Sequence, residues 1–370
     1  MSKYLVKLTP QGKYFFGGDM KFNSGEGEKD PFVSYIIESF KTPQQTSLLG
    51  MLRFLILSND ENAFDKIGNH IKDKGAADGL IGPKSFSVTG GKDNDFGEIL
   101  GIGPCTIYNM VNNGFYFRAA RGHELNLDFS KTTEAYINGA KREIPQITIK
   151  EDGEEKDYTS KHSIDNYYIG NNNQTQEDDG IFVEDARIGI DKDYEGKMID
   201  EKGEKKEKGF YKQISYRLKE GFCFALEVET KSVNLSQYSG SLVKLGADDS
   251  SFLFEAIEGG IAYPQDERKD LRVVLLSDAY LPELPDYVRF AITDIKPFRF
   301  LHSGNSEKAS DYNVKHGQIR REKRYDLYQA GSVFYFKTEK ERDDFCGLLD
   351  GSKDFVQIGY NRYYAYNKTI

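Results

Sequence analysis

The sequence contains no tryptophan and only three cysteines among its 370 residues. Cys105, Cys223 and Cys346 lie far apart along the chain, and none belongs to a C-x-x-C pair. This spacing argues against both a disulfide framework and a zinc site. Because free cysteine is among the most buried residue types, we predict three buried thiols.

The sequence also lacks a long apolar run and an export signal. Its longest apolar stretch, residues 47–57, is interrupted by Gly50 and Arg53. This stretch is well short of the ~18 residues that cross a bilayer. The first six residues contain no apolar signal core with a small-residue cleavage site. We therefore predict a cytoplasmic protein that makes no contact with a membrane.

Motifs for metal, nucleotide or covalent chemistry are missing as well. The five histidines show no metal-ligand spacing, and they are His70, His123, His162, His302 and His316. No phosphate-binding glycine motif occurs, since Pro104 occupies a spacing position directly after the pair Gly101 and Gly103. Ser239 has no G-x-S-x-G context. The sequence predicts no catalytic residue, no metal, no cofactor and no enzymatic activity.

The net charge of the chain limits how it could bind nucleic acid. The chain has 59 acidic and 50 basic side chains and a formal net charge of −9. An acidic protein is a poor general binder of polyanions, so any RNA site must be a local one. The 25 phenylalanines and 24 tyrosines supply rings that either pack in a core or stack on bases.

Hydrophobic patterning predicts an α+β chain. Residues 4–10 alternate apolar and polar side chains, which favours a strand, and helical spacing from residue 48 predicts a helix beginning near Thr46 with a Thr or Ser cap. Residues 63–74 are predicted to form a second short helix. Short β-prone runs separated by Gly or Asn follow, which is typical of antiparallel sheets.

Chain length and loop composition predict two domains. A single core usually stops growing below ~250 residues. Residues 151–157 and 171–179 are acidic or rich in asparagine, so we place the boundary there, between domains 1–175 and 176–370. In the second domain, residues 191–208 are charged and read as an exposed hairpin tip, and residues 338–349 are predicted to be helical.

A first candidate RNA site is a basic run near the C-terminus. It contains five cations and one acidic residue, Glu322. The cations are Lys315, Arg320, Arg321, Lys323 and Arg324. Such a run can neutralise phosphates. The alternative is a solvated basic loop.

A second candidate is the segment from Gly359 to Tyr366, in which a glycine precedes an aromatic-rich stretch with Asn361 and Arg362. Glycine lets backbone amides approach phosphate oxygens, and tyrosine faces can stack on unpaired bases. The alternative is a terminal strand with its tyrosines packed in the core.

A third candidate is the polar start of the predicted helix, residues 42–47, with Arg53 about two turns further on. Exposed amides and the positive end of a helix dipole suit a phosphate. Simple helix capping is the alternative.

Several of these segments, taken in order, resemble a known family. They are TP (9–10), YFFGGD (14–19), PQQTSLLGMLR (43–53), GP (103–104), DARIGID (185–191), AGSVFYF (330–336) and GYN (359–361). Together they are similar to the third-subunit family of the Cmr series, the RAMP subunit of type III-B CRISPR effector complexes that caps the 5′ end of the guide RNA.

This resemblance implies tandem ferredoxin-like, RRM-like domains and a non-catalytic role in holding the 5′ tag of the crRNA. It also implies contact with the large polymerase-cyclase subunit and the backbone RAMP subunits of the Cmr complex. Target cleavage would belong to neighbouring subunits. Two other hypotheses stay open, a metal-independent RAMP ribonuclease that processes precursor guide RNA and a protein scaffold without RNA contact.

The residues predicted to bind RNA combine these candidate sites with the resemblance. They are Lys21, Gln44, Thr46, Arg53, Arg187, Arg320, Arg321, Arg324, Gly359, Tyr360, Asn361 and Arg362.

The basic run generates a testable prediction. Replacing Arg320, Arg321 and Arg324 with Ala should weaken RNA binding regardless of sequence and flatten its salt dependence, because fewer counterions are released. The measurement is binding affinity across a salt series. An unchanged slope would assign the run to a solvated loop.

Overall fold

The computed structural model describes residues 1–18, 20–24, 33–88, 94–137, 140–151, 153–158, 167–170, 174–190, 209–264, 270–298, 301–303, 319–321, 325–365 and 368–369. The helices are α1 (Gln45–Ser58), α2 (Lys74–Ile81), α3 (Asp178–Ile181), α4 (Glu339–Gly351) and α5 (Lys353–Gln357). The strands of the first half are β1 (Ser2–Pro10), β2 (Met20–Ser24), β3 (Val33–Glu38), β4 (Phe64–Asp65), β5 (His70–Ile71), β6 (Ile99–Ile102), β7 (Thr106–Asn109), β8 (Gly114–Arg118), β9 (Leu125–Ile137), β10 (Ala140–Glu151), β11 (Glu154–Asp157), β12 (Tyr167–Gly170) and β13 (Thr175–Glu177). Those of the second half are β14 (Phe182–Ile190), β15 (Gly209–Leu218), β16 (Phe222–Thr230), β17 (Leu242–Lys244), β18 (Ser251–Glu258), β19 (Arg272–Leu275), β20 (Phe290–Ile292), β21 (Ile295–Phe298), β22 (Leu301–Ser303), β23 (Ile319–Arg321), β24 (Tyr325–Tyr328), β25 (Val333–Tyr335), β26 (Tyr363–Ala365) and β27 (Lys368–Thr369).

The N-terminal strand, predicted from its alternation, lies in the middle of the largest sheet. β1 pairs antiparallel with β16 on one side and with β18 on the other. The sheet order is β13-β12-β8-β7-β16-β1-β18-β17, and β6 also pairs with β16. One face of β1 presents Tyr4, Val6 and Leu8 to the main core. This nine-stranded sheet is called the central sheet below.

Helix α1 covers that face of the central sheet. Its buried side chains include Leu48, Leu52 and Ile56, which join the same core as β1, β16 and β18. Truncating such a leucine typically costs about 2–5 kcal/mol through lost burial and a cavity. The helix begins as predicted, but the predicted Thr or Ser cap is wrong. The N-cap is Gln44, which makes no side-chain capping bond.

The second predicted helix, at residues 63–74, is also wrong. The Asp60 carboxylate accepts the backbone amides of Asn62 and Ala63 and so turns the chain where a helix would begin. The short hairpin β4–β5 follows. The helix begins only after Asp73, whose side chain accepts the amide of Ala76 and caps α2.

Two further sheets extend from the central sheet. One is the long antiparallel array β11-β10-β9. The other is a mixed four-stranded sheet in the order β14-β15-β3-β2, in which β15 and β3 run parallel. β14 and β15 flank the predicted charged hairpin tip, but residues 191–208 themselves lie outside the described part of the chain.

The C-terminal part forms its own five-stranded sheet, ordered β20-β25-β19-β26-β27. Helix α4 packs on it through Phe345, Cys346 and Leu349. The helix was predicted at residues 338–349, and its start carries a capping box between Thr338 and Glu341.

The structure confirms an α+β protein with mostly antiparallel sheets and few helices. The central sheet contains strands from both sides of residue 175, and the division into domains 1–175 and 176–370 stays a prediction.

The three thiols lie largely inside the protein. Cys223 and Cys346 are buried and Cys105 is half-buried. Burial raises the pKa of Cys223 to about 12 and that of Cys105 further. Over the described ranges, no helix has the length and apolarity needed to cross a membrane, and no cluster of His, Cys, Asp or Glu could hold a metal ion.

Gly18 generates a stability prediction. A Cβ added to Gly18 would lie 1.6 Å from the Glu38 carbonyl oxygen, which belongs to rigid backbone. We expect Gly18→Ala to destabilise the fold by about 1–3 kcal/mol, as overpacking does. Gly12→Ala is the matched control, because nothing lies within 4 Å of an added Cβ there. Urea unfolding of both variants checks this, and equal midpoints would contradict it.

Candidate nucleic-acid interface

The polar start of α1 forms an internal junction. Gln45 is 5% exposed. Its Nε2 donates to the carbonyls of Gly103 at 2.8 Å and Ile358 at 2.9 Å, and its Oε1 accepts the Cys105 amide at 3.2 Å. One side chain thus connects α1, the loop between β6 and β7, and the segment after α5. We call this the Gln45 junction.

Gly359 completes the Gln45 junction. Its φ is +87°, and an added Cβ would lie 1.9 Å from the Gln45 Nε2 and 2.6 Å from the Gly103 carbonyl oxygen. Only glycine fits this close approach with this backbone conformation. The glycine was predicted to admit a phosphate, and the structure instead uses it to admit the Gln45 side chain.

Tyr360 lies in the core of this structure, and its stacking on RNA bases stays a prediction. Tyr360 is 1% exposed, and its ring packs against Phe298 and Phe355. Its hydroxyl faces Thr46 in the first turn of α1 without a hydrogen bond of good geometry. Burial raises the pKa of Tyr360. The ring is part of the main core.

Asn361 is likewise internal, and its RNA contact stays a prediction. It is fully buried and has φ +57°. Its Oδ1 accepts the Tyr280 amide at 2.8 Å, its Nδ2 donates to the Tyr280 carbonyl at 3.2 Å, and its own amide donates to the Asp278 carbonyl at 3.1 Å. The alternative of a terminal strand with core tyrosines fits this segment, since β26 is buried throughout.

Arg53 contacts the protein itself. One guanidinium nitrogen donates to the Gly82 carbonyl at 3.0 Å, at the end of α2. The pKa of Arg53 is lowered by burial, against the attraction of Asp95 and Asp78. This guanidinium ties α1 to α2, so its predicted role in RNA binding finds no support in its surroundings.

A polar cavity of about 480 Å³ lies beside these segments. Its cations are already paired. Asp178 accepts from Lys41 at 2.5 Å and from Arg118 at 2.9 Å, and Asp278 accepts from Lys296 at 3.1 Å. With Glu38 and Asp294 also in the wall, four carboxylates face three cations. The cavity is therefore not an open anion site.

The Asp278 carboxylate also organises the segment before β25. Its Oδ1 accepts the Ala330 amide at 3.0 Å. The residues that shape this region, Gln45 and Asp278, were not among the predicted site residues. A buried Gln or Asp gives no local sequence signal, because its partners are distant along the chain.

The remaining predicted residues are distributed over several places. Gln44 and Thr46 are half-buried at the start of α1. Arg362 is half-buried beside a second cavity of about 300 Å³, and its Nε has no hydrogen-bond partner. Arg320 and Arg321 lie on β23, where the backbone alone is described, and Arg324 lies outside the described residues.

Lys21 and Arg187 both belong to the mixed four-stranded sheet, but they lie on its opposite edge strands. Lys21 lies on β2, where the backbone alone is described, and Arg187 lies on β14. The Arg187 side chain is 65% exposed and approaches Asp185 only at 4.0 Å, whereas Arg217 holds the same carboxylate at 3.0 Å. Among the predicted cations with a described side chain, Arg187 is the most available to a ligand.

Comparison with known proteins identifies the family. The model of the family described as "CRISPR-associated protein (Cas_Cmr3)" matches residues 6–367. The chain belongs to this family. The resemblance stated from its motifs is thereby confirmed. No curated protein sequence matches the chain.

Solved structures give weaker likenesses. The chain is similar to a chain of "Cryo-EM structure of the Type III-B Cmr-beta bound to cognate target RNA", with 14% identity, a TM-score of 0.48, and coverage of 99% of this chain and 97% of that one. A second structure of the same complex, with AMPPnP in state 1, gives 14% identity and a TM-score of 0.47 at the same coverage.

The Gln45 junction generates a prediction. Gln45→Ala should lower the free energy of unfolding by about 2–4 kcal/mol, because it removes three hydrogen bonds and leaves buried backbone groups without partners. Gln44→Ala is the matched control, since Gln44 makes no capping bond. Chemical denaturation of both variants checks this. Equal stability of the two variants would contradict the role assigned to Gln45.

Proposed function

We propose that this chain is a non-catalytic, RNA-binding subunit of a type III-B CRISPR effector complex. In this proposal it holds the 5′ tag of the crRNA, and it contacts the large polymerase-cyclase subunit and the backbone RAMP subunits in the cytoplasm. The observation that carries the proposal is the family match over residues 6–367.

The architecture supports tandem ferredoxin-like domains as part of the proposal. A helix packed on one face of an antiparallel sheet occurs twice, α1 on the central sheet and α4 on the C-terminal sheet. Ferredoxin-like and RRM-like modules have this two-layer arrangement.

The distribution of charge supports a local RNA site. In a chain of net charge −9, the cations around the larger cavity are paired with carboxylates. Arg187 projects from the mixed sheet with a largely exposed guanidinium. Phosphate binding is therefore better supported on that sheet than in the cavity.

Four titratable side chains of the interior are themselves poorly suited to catalysis. Burial raises the pKa of Cys105, Cys223, Tyr168 and Tyr360. Groups with such pKa values stay protonated at neutral pH and are poor nucleophiles or bases.

Purification from the host tests the proposal. A tagged chain should copurify with other effector subunits and with a small RNA that begins with a repeat-derived 5′ tag. Mass spectrometry and RNA sequencing are the measurements. Effector subunits without RNA would favour the scaffold hypothesis, and recovery of neither would refute the proposal.

The ribonuclease alternative needs a separate assay. The His123 Nδ1 lies 3.0 Å from Glu124, and its ring is edge-on to Tyr167. Of the two histidines whose side chains the structure describes, His123 is the better placed to act as a base. Purified chain is incubated with labelled repeat RNA in EDTA. Specific cleavage that His123→Ala abolishes would replace the binding-only proposal.

A further inference from the structure

The register of the mixed sheet brings aromatic residues into one row. Phe22 on β2 pairs with Tyr35 on β3, Tyr35 pairs with Tyr211 on β15, and Tyr211 pairs with Gly189 on β14. Residues paired directly across strands lie on the same face of a sheet. The row therefore places three aromatic residues and one glycine side by side.

The Tyr211 ring extends over Gly189, its partner on β14. A Cβ added to Gly189 would lie 2.0 Å from the Tyr211 Cζ and 2.2 Å from its Cε1. The end of the ring therefore occupies the space directly above the Gly189 backbone. Tyr211 is half-buried, and its ring lies along the sheet rather than standing away from it.

Cations lie on the same face of the sheet. Arg187 is two residues from Gly189 on β14, and Arg217 shares with Tyr211 one face of β15. Their side chains are 65% and 53% exposed, and Asp185 is the carboxylate that both approach. The described charges at this face are these two guanidinium groups, the Asp185 carboxylate and the Asp248 carboxylate, which accepts from Gln213. Arg187 is the more weakly paired of the two cations, since its Nε lies 4.0 Å from the Asp185 Oδ1.

We propose that this face of the mixed sheet, around Arg187, Gly189 and Tyr211, binds a single-stranded segment of RNA. Tyr211 stacks on one unpaired base, and Arg187 neutralises an adjacent phosphate. Aromatic side chains displayed on a sheet beside arginines are the chemistry by which proteins bind single-stranded RNA. This inference rests on the proposed function.

A simpler role for Tyr211 leads to a different result. An aromatic residue that covers a glycine on a neighbouring edge strand stabilises strand pairing without any ligand. In that case a large aliphatic side chain would change stability alone. The two roles are separated by measuring RNA contact and stability on the same variants.

The test uses the effector complex assembled on guide RNA that carries 4-thiouridine, with photocrosslinks mapped by mass spectrometry. We expect wild-type adducts on peptides that contain residues 182–190 and 209–218. Tyr211→Leu should lower their yield at least fivefold, and Tyr211→Phe should restore most of it, because the stacking ring returns. Lys212→Gln is the control, since Lys212 lies on the other face of β15.

Melting temperatures of all three variants are measured in parallel. An unchanged adduct yield in Tyr211→Leu overturns the inference, whether or not its melting temperature falls. Wild-type adducts found only elsewhere on the chain, or crosslinks from this face to a partner protein, overturn it while leaving the proposed function intact. A wild-type chain with no RNA adduct defeats both.

Discussion

A single buried amide connects the parts of this protein. The Gln45 side chain satisfies two carbonyls and one backbone amide, and these belong to segments near residues 103–105 and residue 358. Buried backbone groups without partners are costly, so Gln45 holds these two segments and α1 in one arrangement. The cavity walls and the course of the C-terminal segment depend on this arrangement, since Asn361 follows directly and is fixed to Asp278 and Tyr280.

The Gln45 junction explains how the motifs shared with the family can have a structural role. The motifs at residues 43–53, 103–104 and 359–361 meet at the Gln45 junction, inside the protein. Glycine at residue 359 and asparagine at residue 361 both adopt positive φ, and both residue types tolerate that conformation. Both residue types can also contact RNA, but in this structure Gly359 and Asn361 take part in internal packing.

Local signals made part of the fold predictable. The alternation in β1, the apolar face of α1 and the capping box of α4 act over a few residues, and each predicted element formed. The helix predicted at residues 63–74 is absent because Asp60 and Asp73 redirect the backbone through side-chain hydrogen bonds that apolar periodicity does not detect. The burial of Tyr360 and the pairing of Lys41, Arg118 and Lys296 depend on partners far along the chain, which no short motif encodes.

The position of β1 in the central sheet has a consequence for synthesis. This strand leaves the ribosome well before both of its partners, since β16 and β18 lie beyond residue 221. Until they emerge, an apolar strand with two unpaired edges has no native partner. Such non-local pairing slows folding and exposes surfaces that aggregate. The nascent chain should therefore depend on chaperone protection through most of its translation, and its yield should fall when translation of the second half is slowed.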